Sequence, residues 1–327
     1  MQRLIGVPAR LTRVATSIAA TCLLASGVAG LALAWSAPAA AQAKISLGYT
    51  ATLGFNGAFI AKDQGFFLKH GLDVDLVLIG LNSNIPAALV GNSVQVGGPT
   101  PPVLMQANDG GLDLVVIANC SVTDPNNTKD GVMARAGVSI KQPSDFIGKK
   151  VGVPGLGAFL HVMFRQWLLT NGVDYEKVNF VEVPFTQSAD VLRSGSVDAV
   201  ITGEPFSTRI VADNIGTLAV PLAVQSPPNI PAIFYASTRD WAKAHPDAVK
   251  AFHDAIADAV AFQAKDPAAA RVSASKFIKL PPEVLSTITL PVLQADVTDA
   301  QLQYWVDAMT RQKMLQEKPD IGKLVVK

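Results

Sequence analysis

The segment Gly155-Leu156-Gly157-Ala158 sits between an apolar strand, Val151 to Val153, and a run in which Phe159, Leu160, Met163, Phe164, Trp167 and Leu168 fall at helical spacing. A helix that opens at such a turn presents unpaired backbone N–H groups and the positive end of its dipole, a seat for an anionic or strongly polar group. Leu156, Gly157 and Ala158 are therefore candidate ligand contacts, and the apolar Leu156 and Phe159 leave backbone N–H groups as the main donors there. His161 and Arg165 lie four apart and share one helical face. Arg165 reads as part of a solvated polar stripe; His161 either lends positive charge to the site or belongs to the same stripe. The turn lacks the spacing of a dinucleotide fingerprint, and no Gly-Lys-Ser/Thr follows to make a phosphate loop.

A second copy of the pattern lies upstream. Gly57-Ala58-Phe59, a helical run and His70-Gly71-Leu72-Asp73 mirror Gly157-Ala158-Phe159, a helical run and Asn171-Gly172-Val173-Asp174. Leu89 to Gln95 likewise resembles Leu192 to Asp198, and each copy ends in an apolar strand and a Gly-x-Pro turn, at Gly97 to Thr100 and at Gly203 to Pro205. Repeated α/β units of this length predict two similar lobes with ligand-facing loops at the carboxyl ends of parallel strands.

The loops at those ends supply the remaining candidates. Phe55 and Asn56 close the loop Thr50 to Asn56 over the expected pocket. In the polar loop Gly80 to Asn84, Asn82 and Ser83 either cap the next helix or face a ligand. Thr100, ahead of Pro101 and Pro102, is an N-cap, with or without a second role as a ligand donor. In the second copy Pro184 to Ser188, with Thr186, occupies the station of Asn82 to Asn84, and Glu204 and Phe206 follow the next strand. Phe55, Phe185, Phe206 and Tyr235 can wall an apolar slot of the kind small-molecule sites use. Glu204 suits an anion site only if it accepts from a hydroxyl or amine of the ligand or caps its own turn.

Catalytic and metal arrangements are missing from the sequence. His70, His161, His245 and His253 form no HExxH or similar pair, no serine occupies a Gly-x-Ser-x-Gly elbow, and Asp73 and Asp75 read as solvated acids. No metal and no cofactor is expected.

With 327 residues, two lobes and a substantial core are affordable. The first 43 residues hold Arg3, Arg10 and Arg13 and no acid, which leaves 24 basic and 26 acidic residues beyond them, and nothing suggests nucleic acid. Those arginines precede an apolar stretch from Val14 to Trp35 and the small-x-small Ala41-Gln42-Ala43, the pattern of a cleaved export signal, so residues 1–43 are expected to be removed and the remainder to work in the periplasm. Cys120 is then the sole cysteine, which precludes an internal disulfide and reads as a small buried residue.

In chain order, strands are expected at Ile45–Tyr49, Val74–Ile79, Val94–Val96, Leu114–Asn119, Gly131–Arg135, Val178–Val183, Ala199–Ile201 and Ala232–Ser237, with Leu218 to Pro231 as a return crossing. Beyond Asp240 the pattern is helical, with Val249, Phe252, Ile256 and Val260 on one face and a Thr298/Gln301 capping box before Leu302, Trp305, Val306 and Met309. These helices are read as packing on the first lobe.

Several motifs in order, Gly65-Phe66-Phe67 with Gly71-Leu72-Asp73-Val74, Gly97 to Pro102, Gly148 to Val153 and Gly195 to Val200 ending at Glu204-Pro205-Phe206, are similar to those of the extracytoplasmic substrate-binding proteins of ABC importers. The resemblance runs from Ile45 to about Ser237 and points to the group that includes aliphatic-sulfonate, taurine and nitrate binders and relatives that bind thiamine-precursor pyrimidines. It implies an α/β, two-lobe periplasmic-binding-protein fold of type II with two crossing segments and a helical C-terminal region on the first lobe. Lobe 1 would comprise 44–130 and 225–327, and lobe 2 131–224. It further implies a small-molecule ligand clamped between the lobes and delivery to a membrane permease driven by a cytoplasmic ATPase; the protein is expected to be a monomer, and with no catalytic constellation in the sequence it is expected not to be an enzyme. The departure at Gly155-Leu156-Gly157-Ala158, where relatives commonly carry hydroxyl or small polar residues, suggests a small organic anion, an aromatic or aliphatic carboxylate or sulfonate. A sensor, a receptor for another kind of transporter, or an enzyme built on the same fold are the alternatives.

Overall fold

A computed structural model describes residues 42–279, 284 and 286–326. The expected export signal falls outside the described residues except for its last two positions. The chain builds β1 (Ala43–Tyr49), α1 (Asn56–Asp63), α2 (Phe66–Lys69), β2 (Leu72–Leu78), α3 (Ile85–Val90), β3 (Val96–Gly97), α4 (Pro101–Asp109) and β4 (Leu114–Val122). It continues through β5 (Gly131–Arg135), β6 (Lys150–Val153), α5 (Phe159–Thr170), β7 (Asn179–Glu182), α6 (Ser188–Arg193), β8 (Ala199–Thr202), α7 (Phe206–Ala212) and β9 (Gly216–Pro221). The last described elements are β10 (Pro231–Thr238), α8 (Arg239–Ala244), α9 (Pro246–Lys265), α10 (Pro267–Phe277), β11 (Val292–Leu293) and α11 (Asp299–Arg311).

These strands form two sheets, ordered β11-β4-β10-β3-β1-β2 and β7-β6-β8-β5-β9. The repeat seen in the sequence is a repeat of topology: β1 lies parallel between β2 and β3, β6 lies parallel between β7 and β8, and an antiparallel strand follows each set, β10 beside β3 and β5 beside β8. Each antiparallel strand is the first one laid down after the chain passes from one sheet to the other, between Val122 and Gly131 and again between Pro221 and Pro231. The polar loops at Asn82–Asn84 and Phe185–Gln187, expected to correspond, are both single 3₁₀ turns. One expectation fails: Leu218 to Val224 is not wholly a crossing, because Gly216–Pro221 pairs antiparallel with β5 and completes the second sheet. The third strand is also shorter and later than expected, at Val96–Gly97.

β4 is buried along its whole length, which is why Leu114 to Ala118 is a continuous apolar run rather than an alternating one. On one side of its sheet Phe59, Phe67, Phe252 and Ile256 form a core shared with α9 and α10, with the Phe67 and Phe252 rings 5.3 Å apart. On the other, Leu104, Met105, Trp305 and Met309 pack α11 on α4 and also enclose Val162 and Met163 of α5. The opposite face of α5, Leu160, Phe164 and Leu168, joins the core of the second sheet with Phe146 and Val153. α5 is thus buried on two sides, which explains its breadth of apolar residues. The Thr298/Gln301 capping box forms as expected. Among the described residues no helix is long and apolar enough to cross a membrane.

Candidate ligand-binding cleft

A cavity of ≈ 110 Å³ lies where the carboxyl ends of the parallel strands of both sheets meet. Thr50 and Thr52 after β1, Asn82 after β2 and Thr100 after β3 contribute from the first sheet, and Pro154 with the start of α5, Phe185 and Gly203 from the second. Asp124, Asn127 and Asp130 of one crossing and Leu222, Ala223 and Ser226 of the other also line it. This is the crevice where open α/β sheets hold ligands.

Of the twelve residues picked from the sequence, Asn82, Thr100 and Ala158 line the cavity. Asn82 is occupied with the fold: its Nδ2 donates to the Gly98 carbonyl at 2.9 Å and its Oδ1 accepts the Thr100 N–H at 2.9 Å, fixing the β3–α4 turn. Thr100 does not cap its own helix. Its Oγ1 accepts the Phe159 N–H at 3.2 Å and so caps α5 from the facing sheet. Replacing the hydroxyl with a methyl orphans that amide, so Thr100→Val should lower stability by about 1–2 kcal/mol while Thr100→Ser stays near wild type. Equal melting temperatures for Thr100→Val and wild type would show the bond to be dispensable.

The expected anion seat is already filled by the protein. The Leu156 N–H donates to Glu182 Oε1 at 2.9 Å, the Gly157 N–H to His161 Nδ1 at 2.9 Å, and the Ala158 N–H to the Gly155 carbonyl. Leu156 is exposed, and Gly157, at a positive φ that favours glycine, abuts the Gln106 side chain. Ser83 donates to the same Glu182 oxygen at 2.7 Å. His161 is no source of positive charge. Burial, with a smaller push from the Arg165 charge, drives its imidazole down to about 3, and accepting at Nδ1 places its proton on Nε2. Arg165 is not a free stripe residue either; its guanidinium stacks 3.8 Å over the Tyr175 ring and reaches the Gln312 carbonyl.

The remaining choices lie behind or beside the cavity. Phe55 is fully buried between Tyr49 and Tyr235, against Gly98, where a Cβ would fall 2.0 Å from its ring. Asn56 donates to Gln263 Oε1 at 2.6 Å. Thr186 is exposed, and Phe206 stacks on Phe185, so it backs the wall that Phe185 presents. Glu204 is buried and engaged within its own surroundings, accepting from Ser207 and Thr208 and pairing with Lys129 Nζ at 3.0 Å. Of the roles weighed for Glu204, capping its own turn is the one the contacts match.

Asp130 was missed. Its Oδ1 accepts the Glu204 N–H and its Oδ2 accepts Asn127 Nδ2, each at 2.9 Å, and it packs so closely on Gly203 that a Cβ there would lie 2.8 Å from Oδ1. Burial pushes its carboxyl up to about 6, helped by the charge of Glu204 and opposed by these hydrogen bonds and Lys129. The signal in the sequence was positional: Asp130 directly precedes the strand on which the chain enters the second sheet, and a crossing segment must back any cleft between the sheets.

The family model for NMT1/THI5-like proteins matches residues 53–270, two thirds of the chain and nearly all of the α/β repeat. The chain belongs to the NMT1/THI5-like family. It is 28% identical over 230 residues, 63% of its length, to the bicarbonate-binding protein CmpA of Synechococcus elongatus, and 25% identical over 242 residues, 69% of its length, to the bicarbonate transport ATP-binding protein CmpC of the same organism. These matches cover 51% and 36% of the two relatives, so the chain spans about half or less of their length. Among solved structures, the alkanesulfonate-binding protein SsuA of Xanthomonas axonopodis pv. citri bound to MOPS superposes with a TM-score of 0.72, over 87% of this chain and 98% of that one, at 16% identity. At that identity the likeness is one of fold: this NMT1/THI5-like chain has the two-lobe periplasmic-binding-protein fold.

Proposed function

We propose that this protein captures a small organic acid between its two sheets and hands it to the permease of an ABC importer, outside the cytoplasm and without chemical conversion. The observation that carries this reading is the cavity itself, walled by strand ends of both sheets and backed by both crossings, so that closure and occupancy are linked. Membership of the NMT1/THI5-like family supports a binding role, and the match to a transport ATP-binding protein supports partnership with an ATPase-driven permease. Residues 44–130 with 225–327, and 131–224, are taken as the two moving lobes.

The lining supports an organic rather than a bare inorganic anion. Phe159, Leu160, Met163 and Phe185 offer an apolar wall, and threonine hydroxyls offer neutral donors. At ≈ 110 Å³ the space is smaller than the cavity of about 150 Å³ known to admit benzene, which favours a short aliphatic chain. Calorimetric titration of the purified protein with short carboxylates and sulfonates, nitrate and bicarbonate should give tightest binding for an organic acid, with contraction in small-angle scattering. Preference for nitrate or bicarbonate would remove the organic-acid assignment, and turnover of any of these solutes would remove capture as the function.

A further inference from the structure

The geometry points to a second binding site, outside the cleft, for a medium-chain aliphatic carboxylate held by Arg271. It does not depend on the reading of the cleft as the solute site.

An open pocket of ≈ 550 Å³ lies between α9, α10 and residues 286–293, a volume within the roughly 300–1,000 Å³ of small-molecule sites. Its wall is pinned in place. Gln263 Nε2 donates to the Pro291 carbonyl at 2.7 Å, Arg271 Nε donates to the Ile288 carbonyl at 3.3 Å, and Val292 and Leu293 pair with β4. Val260, Ala264, Ile288, Leu290 and Leu293 make much of the lining apolar.

Among the described residues that line this pocket Arg271 is the only charged one. Arg135, Arg193, Arg209 and Arg239 each pair with an aspartate, whereas the described bonds of Arg271 go to two carbonyls, that of Ile288 and, from Nη1 at 3.2 Å, that of Pro267. Asp266, the acid nearest to it in the chain, accepts the Ala269 N–H and caps α10. The two carbonyls therefore orient the guanidinium without neutralising it, and among the described residues Nη2 has no partner. A fixed guanidinium fork matches a planar carboxylate, and an alkyl chain laid on the apolar lining removes that surface from water. A small inorganic anion would use only the first feature and a neutral alcohol only the second.

The test titrates octanoate, acetate and octanol into the full protein by calorimetry and follows amide hydrogen exchange with and without octanoate. Octanoate should bind about tenfold or more tighter than either of the others, since acetate lacks the chain and octanol the charge. Leu290, Pro291 and Val292 also line the cleft cavity, so the deciding signal is added protection around Gln263 and Arg271. Arg271→Gln should weaken octanoate about tenfold, and Ala264→Trp, which fills the pocket from an exposed position on α9, should abolish its binding. The wild-type protection map needs no variant, so it holds even if Arg271→Gln folds poorly. Protection confined to the loops after β1, β2 and β3 would place octanoate in the cleft, which overturns the second site and leaves capture of an organic acid standing. Absence of octanoate binding, equal binding of octanol, or unchanged affinity in a folded Ala264→Trp protein would each overturn it too.

Discussion

Trp305→Ala is expected to remove on the order of 5 kcal/mol of stability, a large fraction of what a domain possesses. The indole is fully buried on α11, 5.7 Å edge-on to Phe159 of α5 and 5.4 Å from Tyr304, and its Nε1 donates to the Pro231 carbonyl at 2.8 Å. It therefore joins the C-terminal helix, the helix that opens the cleft and the strand on which the chain returns to the first sheet. Truncation leaves a large cavity and strips a partner from a buried carbonyl, and the two losses act together. Trp305→Phe keeps an aromatic ring against Phe159 and should cost only about 1–2 kcal/mol. Urea unfolding of the two variants checks this. A loss under about 2 kcal/mol for the alanine variant would mean that α11 closes around the gap and does not anchor α5.

Much of the scaffold is legible in the sequence because it rests on local periodicity. The face Phe159, Leu160, Met163, Phe164, Trp167 and Leu168 predicts α5, Thr298 and Gln301 predict the start of α11, and the Gly57 and Gly157 copies predict two matched sheets. The cleft is less legible because its contacts join residues far apart in the chain. Nothing near Thr100 in sequence reveals that its hydroxyl caps Phe159, or that Glu182, His161 and the Gly155 carbonyl would take the three N–H groups expected to face an anion. Phe55 resembles a slot-lining aromatic until the closeness of Gly98 shows that its ring fills the space beneath the loop. Several polar residues that meet the cavity without having been picked, among them Thr50, Thr52 and Asp130, lie in loops without periodic signal, and there spacing predicts a loop but not the direction of a side chain.

Between about pH 6.5 and 4 the response of stability to acid should be set by two groups that oppose one another, the buried His161 and the half-buried Asp130, and His161→Gln should reverse its sign. The imidazole of His161 sits at about 3 in the folded protein, far below its ordinary value. In this window the unfolded chain binds a proton that the folded chain refuses, so this contribution is complete above pH 6.5 and is lost as pH falls, by roughly 1.4 kcal/mol per unit. Asp130 behaves oppositely. Its folded value near 6 lies above the unfolded one, so its contribution is complete below about pH 3.8 and is lost as pH rises through 6. At pH 4.5 the cost at His161, about 3 kcal/mol, slightly exceeds the gain of about 2 kcal/mol at Asp130, and the wild-type protein should be nearly level or slightly less stable than at pH 7. Asp145, Asp254 and Asp258, held low by hydrogen bonds, release their contributions mainly below this window. Glutamine at 161 retains an acceptor for the Gly157 N–H and does not titrate, so the Asp130 gain stands alone and the variant should be about 2 kcal/mol more stable at pH 4.5 than at pH 7. Urea midpoints at pH 7, 5.5 and 4.5 measure the slope. If His161→Gln keeps the wild-type slope, the imidazole takes up its proton without unfolding, and the packing around α5 yields to a charge that its burial is expected to exclude.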